Sequence, residues 1–154
     1  MKKLYCMLIV TGALLAGAVA QVPTGLNWQL VKEGRGIAVY GAPVPSSGLK
    51  YIKVSAELRG TLEAVNALFR DVRRQPDWVY GTRRAYLVQR TDDNHLLYYN
   101  ETGLPWPVSN RDIAIRMTME EDLPHHTLSI HQLGEPSAVP LHKGLVRVVH
   151  LEGQ

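Results

Sequence analysis

Residues 104–120, LPWPVSNRDIAIRMTME, carry the strongest structural signal in the chain. From residue 111 onward, apolar and polar residues alternate with a period of two, which is the period of a β-strand that buries one face. We therefore predict a half-buried strand over residues 111–120. Its apolar face is formed by Ile113, Ile115, Met117 and Met119.

Further strands are predicted on both sides of this one. Two of them, at 84–90 and 96–101, flank the turn sequence TDDN. Since strands cluster together and do not alternate with helices, the order predicts an α+β fold with an antiparallel sheet. The remaining predicted strands are 36–44, 50–59, 127–133 and 145–151.

Two helices are predicted, both in the first half of the chain. Apolar residues recur at helical spacing between Leu62 and Val72, and Thr61 is placed to cap the helix that contains them. This amphipathic helix is predicted over 61–73. A short N-terminal helix is predicted over Leu26–Lys32, ended by Gly34.

The first twenty residues have the pattern of a signal peptide. Lys2 and Lys3 precede an uncharged apolar run that ends in Ala18-Val19-Ala20, and this small-x-small sequence predicts cleavage after Ala20. The domain is therefore predicted over residues 21–154. Export and a periplasmic location follow as expectations.

Removal of residues 1–20 changes the charge and the cysteine content. The whole chain has 17 Lys and Arg against 14 Asp and Glu, and without Lys2 and Lys3 the excess falls from +3 to +1. The net charge therefore gives no reason to expect a nucleic acid partner. Cys6, the only cysteine, is also lost. The six histidines show no metal-site spacing, so we expect neither a metal nor a cofactor.

Trp106 and Arg111 are the candidate functional residues before the main strand. Pro105 and Pro107 restrict the backbone around Trp106, which holds this aromatic ring at the strand entrance. Arg111 is in phase with the apolar face, where a guanidinium needs a partner. One interpretation is an ion pair at the sheet rim, with Asp112 or Glu101. The other is a polar anchor inside an apolar cavity.

These features resemble those of the START (steroidogenic acute regulatory protein-related lipid-transfer) domain. Pro105-Trp-Pro-Val-Ser-Asn-Arg-Asp112 is the most specific match, and weaker matches occur in the right order across residues 25–153. The resemblance implies a helix-grip fold, in which a curved antiparallel sheet holds a long C-terminal helix over an apolar tunnel for one lipid. It also implies that Trp106, Arg111 and the apolar face of 113–119 line that tunnel.

The resemblance predicts more chain than the sequence contains after residue 151. The expected final strand and long helix are missing, which favours a truncated sequence of an exported bacterial protein over a protein whose binding partner replaces the helix. Without that helix, we expect the face of Ile113, Ile115, Met117 and Met119 to be open to water.

The leading hypothesis is a protein that binds or transports a lipid or other apolar molecule, with transient membrane contact. Tyr98 or Tyr99 would orient the ligand together with Arg111, and the sequence leaves open which tyrosine faces the cavity. A cyclase-like or hydrolytic enzyme on the same fold is the alternative, although no acid and base pair is evident. A truncated product without ligand binding is the third possibility.

Overall fold

The computed structural model describes residues 4–11, 25–45 and 48–154. Two short helices, α1 (Leu62–Arg70) and α2 (Gln75–Trp78), are joined by a 3-10 turn at Val72–Arg74. The other elements of these described residues are ten strands. In chain order they are β1 (Leu4–Thr11), β2 (Gln29–Gly34), β3 (Ile37–Pro43), β4 (Lys50–Leu58), β5 (Thr82–Arg90), β6 (His95–Thr102), β7 (Arg111–Asp122), β8 (Thr127–Gly134), β9 (Val146–Arg147) and β10 (Glu152–Gly153).

The strands form one sheet in the order β2-β3-β4-β1-β10-β8-β7-β6-β5, with β9 beside β7. All pairs are antiparallel except β7 with β9. The predicted antiparallel sheet is therefore confirmed. The predicted hairpin at TDDN is also present, since β5 and β6 pair on either side of this turn. Within the turn, Asp92 Oδ1 accepts hydrogen bonds from the backbone N–H groups of Asn94 and His95.

The amphipathic helix prediction is confirmed, including its cap. Thr61 Oγ1 accepts a hydrogen bond of 3.2 Å from the backbone N–H of Ala64, which satisfies one free donor of the first turn. Phe69 and Val72 pack against the sheet. The helical segment 62–78 therefore covers one face of the sheet.

The predicted N-terminal helix is wrong, because residues 29–34 form strand β2. This strand is exposed along its whole length and pairs with β3, so its backbone groups are satisfied by a neighbour and not within a helix. Arg35 and Gly36 have φ angles of 54° and 75°, which makes a tight turn between the two strands. Gly34 is the last residue of β2, and the positive φ of Gly36 allows the hairpin.

Within the predicted last strand, residues 145–151, the structure has the two-residue strand β9, and β10 follows after this range. β9 runs beside the start of β7, and β10 pairs with the far edge of β8. Between them the chain crosses β8 at Gly134, whose N–H donates to Leu151 O at 2.8 Å. A Cβ at Gly134 would lie 3.0 Å from the backbone N of Leu151. This glycine therefore permits the close crossing.

The segment Leu4–Thr11 is strand β1, which lies between β4 and β10. The sequence pattern predicts that these residues belong to a signal peptide, and the predicted cleavage site at Ala18–Ala20 lies outside the described residues. The signal peptide stays a prediction. Among the described residues, no helix has the length and apolar character needed to cross a membrane.

Candidate functional site

One side of strands β6 to β8, here called the inner face, forms the main apolar cluster. The expectation that this face would be open to water is wrong. Phe69 from α1 and Val148 and Leu151 from the crossing segment pack against it and close it. The buried residues of the cluster, each at most 6% exposed, are Val72, Leu96, Tyr98, Ile113, Ile115, Met117 and Met119.

The buried polar groups on the inner face are neutral and hydrogen-bonded to neighbouring side chains. Tyr98 Oη accepts a hydrogen bond of 3.0 Å from Gln132 Nε2, and burial raises the pKa of Tyr98 to about 12. Asn100 Nδ2 donates to Gln75 Oε1 at 3.0 Å and to Thr82 Oγ1 at 3.3 Å. A neutral polar group of a bound molecule would fit beside these side chains better than a charged group, because a charge buried there would have no counter-charge.

A groove of about 670 Å³ lies where α1 meets the β7–β8 hairpin. Asn66 is 6% exposed, and its Nδ2 donates to Glu121 Oε1. Arg70 Nη2 donates to Asn94 Oδ1 at 2.8 Å, which links the helix to the β5–β6 turn. The volume falls within the usual range for small-molecule sites. Its lining also includes Leu62, Glu63, Ala67, Asp71, Arg90 and Leu123.

The opposite side of β6 and β7, here called the outer face, is built around a buried ion pair. Asp112 is 1% exposed, and its two carboxylate oxygens accept hydrogen bonds of 2.8 and 2.9 Å from Arg147 Nε and Nη2. Tyr99 Oη donates to Asp112 Oδ2 at 3.2 Å, and His142 Nδ1 lies 3.1 Å from the same oxygen. The hydrogen bonds from Arg147 lower the pKa of Asp112 to about 2.

Arg147 also fastens the loop that follows β8. Its Nη1 donates to the carbonyl oxygens of Pro136 and Val139, and its Nη2 donates to Pro140 O at 2.9 Å. The sequence does not predict this network, because Asp112 is 30 residues from His142 and 35 residues from Arg147. A usable signal was Asp112 itself, a carboxylate in phase with Ala114 at the start of a buried strand.

The two tyrosines left open by the sequence lie on opposite faces. Tyr98 belongs to the inner cluster, and Tyr99 to the outer one. Tyr86 stacks on Tyr99 with ring centroids 4.8 Å apart. Burial and the nearby Asp112 raise the pKa of Tyr99. Of the two candidate tyrosines, the structure places Tyr98 beside the predicted apolar face.

Arg111 and Trp106 are both exposed, unlike the other predicted site residues. Arg111 stands at the first position of β7, where its backbone pairs with Thr102 and Val146. The predicted ion pair with Asp112 is wrong, since Asp112 binds Arg147. Trp106 is 93% exposed in the loop before β7, so it does not line the inner face.

Comparison with known proteins places the chain in a family. The model of the START domain matches residues 24–154. The chain is 29% identical to mouse (Mus musculus) phosphatidylcholine transfer protein over 129 residues, which is 81% of this chain and 59% of that protein. It is 27% identical to an uncharacterized Pseudomonas aeruginosa protein over 128 residues, covering 83% of this chain and 62% of that protein. The chain thus spans about three fifths of the length of these relatives.

A solved structure shows the same fold. The STAR-related lipid transfer protein of Xanthomonas axonopodis matches with a TM-score of 0.76 and 29% identity, covering 81% of this chain and 70% of that one. The antiparallel sheet and the two short helices of this chain match that fold over the shared residues. The chain therefore belongs to the START domain family.

Proposed function

We propose that this chain binds a lipid or other apolar small molecule on the inner side of its sheet. The observation that carries the proposal is the inner face, a continuous apolar surface with only neutral polar groups among its buried residues. Burial of apolar area would supply the affinity. The names of the relatives, phosphatidylcholine transfer protein and STAR-related lipid transfer protein, support the same ligand class.

The ligand enters through the groove between α1 and the β7–β8 hairpin. The inner face is closed, so a bound lipid has to displace a covering segment. The groove lies at the end of that face, with apolar walls at Leu62, Ala67 and Leu123. Helix α1 is held at this end by hydrogen bonds of Asn66 and Arg70 and by the ion pair of Arg70 with Glu121 at 3.5 Å. The side chains of this ion pair are about one third exposed, so water can replace their contact when the helix moves.

Native mass spectrometry of the gently purified protein tests this proposal. Lipid adducts are expected on the wild-type chain. Ala67→Trp places a large ring in the groove and should lower the adduct fraction several-fold. Ala64→Trp is the matched control, because Ala64 is also an exposed residue of α1 but does not line the groove.

A wild-type protein that never carries lipid, even after incubation with phosphatidylcholine or ceramide vesicles, would overturn the proposal and favour a product without ligand binding. If Ala67→Trp and Ala64→Trp lose lipid to the same extent, the groove is rejected as the entry route, while lipid binding by the wild-type chain still stands. Thermal unfolding of both variants checks that they are folded.

We also propose transient membrane contact by an exported, periplasmic form of the chain. Trp106 is 93% exposed and Val108 is 48% exposed, in a loop that two prolines restrict. Tryptophan combines an apolar body with a polar N–H and favours membrane interfaces. Trp106→Ala should therefore slow lipid transfer between vesicles, whereas Leu30→Ala, at a 54% exposed residue of β2, should not. Equal transfer rates would count against this contact.

A binding role is proposed over a catalytic one. The polar groups described on the inner face are amides and hydroxyls, which do not form an acid and base pair. The cluster of Asp112, His142 and Tyr99 lies on the outer face, where the carboxylate is already bound by Arg147. In this cluster, Arg147 holds the loop after β8 through hydrogen bonds to its carbonyl oxygens.

A further inference from the structure

Two buried polar atoms of helix α1 have no hydrogen-bond partner among the described residues. They are Oδ1 of Asn66 and Nε of Arg70, and both residues line the groove beside the β7–β8 hairpin. A buried polar atom without a partner costs free energy, since it has lost its hydrogen bonds to water and gained none. One of these atoms is an acceptor and the other is a donor. The partners that they lack are therefore of opposite kinds.

Helix geometry places the two side chains next to each other. Asn66 and Arg70 are four residues apart in α1, and residues at this spacing are neighbours on one helix face, with Cβ atoms about 5–6 Å apart. A single ligand group that holds an acceptor and a donor a few bonds apart can therefore reach both atoms.

The contact with Glu121 decides which atom of the Asn66 amide is left over. A carboxylate only accepts hydrogen bonds, so Asn66 has to turn its nitrogen toward Glu121 Oε1. The carbonyl oxygen of the amide is then the atom without a partner. Arg70 uses Nη2 for Asn94 Oδ1 at 2.8 Å, which leaves its Nε without an acceptor.

The charges of the groove favour a ligand that carries both signs. The charged side chains of its lining are Arg70, Arg90, Glu63, Asp71 and Glu121. Phosphate oxygens are among the acceptors that a guanidinium binds most strongly. The missing donor for Asn66 lies beside the carboxylate of Glu121, which favours a positively charged N–H group over a neutral hydroxyl. Both arguments indicate a phosphate joined to a protonated amine.

We propose that the groove binds the head group of a lipid that carries a phosphate and an N–H donor, as in phosphatidylethanolamine. The phosphate accepts a hydrogen bond from Arg70 Nε, and the ammonium group donates to Asn66 Oδ1. Choline has methyl groups in place of every N–H bond, so phosphatidylcholine offers Asn66 no donor. This inference rests on the proposed lipid binding and adds the head group that the groove selects.

The head group reaches the two atoms by an exchange of ion partners. Arg70 Nη2 lies 3.5 Å from Glu121 Oε1, and their side chains are 30% and 31% exposed. A phosphate that approaches from the groove replaces Glu121 as the partner of Arg70. The carboxylate of Glu121 then pairs with the ammonium group of the same ligand. Each charge keeps a counter-charge throughout, so the exchange leaves no buried charge unpaired.

Native mass spectrometry with a methylation series tests the donor. The wild-type chain is incubated with vesicles of phosphatidylethanolamine, its monomethyl and dimethyl derivatives, or phosphatidylcholine, all with the same acyl chains. The first three lipids keep at least one N–H bond, and the last has none. The adduct fraction should therefore fall by at least about tenfold at the third methyl group. An even decline from the first methyl group onward would indicate steric exclusion and overturn the hydrogen bond to Asn66.

Two variants test whether Asn66 is the source of this selectivity. Asn66→Leu removes the acceptor with little change in volume, so the step at the third methyl group should disappear while lipid binding persists. Asn94→Ala is the matched control, because it also removes a contact of Arg70 but leaves Asn66 Oδ1 in place. Loss of the step in both variants, or in neither, would overturn the assignment. If Asn66→Leu fails to fold, the wild-type series still decides.

Arg70→Lys tests the phosphate contact. Lysine keeps the positive charge but lacks Nε, so the phosphatidylethanolamine adduct should fall several-fold. Diacylglycerol with the same acyl chains has no phosphate and should bind equally to the variant and the wild type. Equal loss of both lipids would overturn the phosphate contact.

Three further results separate this inference from the proposed function. Soluble phosphoethanolamine should bind far more weakly than the lipid, because it has no apolar area to bury, and equal affinity would overturn the lipid as the source of the head group. Equal uptake of phosphatidylethanolamine and phosphatidylcholine by the wild type would overturn this inference and leave lipid binding intact. Uptake of none of these lipids would overturn the proposed function, and this inference with it.

Discussion

The two faces of β6 and β7 are buried by different chemistry. On the inner face, apolar side chains pack around Tyr98, whose hydroxyl accepts a hydrogen bond from a neutral amide. On the outer face, Tyr99 donates to the carboxylate of Asp112, which Arg147 holds in a two-point ion pair. Neutral contacts can be exchanged for those of a ligand at low cost, whereas a buried ion pair cannot. The outer face is therefore the fixed side of the sheet.

The largest expected effect comes from the ion pair. Asp112→Ala would leave Arg147 buried and uncompensated, which costs about 3–5 kcal/mol of unfolding free energy. Urea unfolding measures this change. Glu135→Ala is the control, because Glu135 pairs with the exposed Arg116 on the same face and should cost less than about 1 kcal/mol. Equal costs would show that the outer face is not held by its ion pair.

The next effect comes from apolar packing on the inner face. Met117 is 0% exposed, so Met117→Ala should cost about 2–5 kcal/mol through lost contacts and a cavity. Leu133→Ala, at a 42% exposed residue of β8, should cost clearly less. The same urea experiment gives both values. A small loss at Met117 would mean that the inner face is loosely packed.

The adjacent tyrosines give a smaller but more direct comparison. Tyr99→Phe removes a hydrogen bond to a charged carboxylate and should cost about 1.5–3 kcal/mol. Tyr98→Phe removes a bond to a neutral amide and should cost about 1 kcal/mol. Only Tyr98→Phe should alter the lipids found by mass spectrometry. A reversed order of the two costs would contradict the assignment of charge to the outer face.

The outer face also predicts an acid dependence of stability. The pKa of Asp112 is about 2 in the folded chain, below its ordinary 3.8, because Arg147 favours the charged form. Because the pKa of Asp112 is lower in the folded than in the unfolded chain, its ionised form stabilises the folded chain at any pH above the unfolded pKa. This stability is lost as the pH falls from about 4 to 2 and Asp112 becomes protonated. Unfolding measured across this range should show a slope that Asp112→Asn reduces. An unchanged slope would exclude Asp112 as its source.

The sequence predicts the inner face of β7 well, because its alternation is regular and one-sided. It does not separate Tyr98 from Tyr99, since both sides of β6 are buried and neither phase is polar. The pairing of Asp112 with Arg147 depends on a loop that returns to the sheet 35 residues later, which no local pattern encodes.

Two errors have a shared physical origin. Residues 29–34 became a strand and not a helix because β3 offers a partner edge, and the apolar face of β7 is closed because distant segments pack on it. Tertiary contacts decided both outcomes, as they commonly override local propensity.

Gly134 has a consequence for how the chain tolerates change. The crossing segment rests directly on the backbone of this residue, with Leu151 N 3.0 Å and Ile113 Cδ1 3.3 Å from where a methyl group would project. A methyl group at position 134 would push the crossing segment away from β8. Position 134 should therefore accept only glycine, whereas an exposed position such as Val149 should accept other residues.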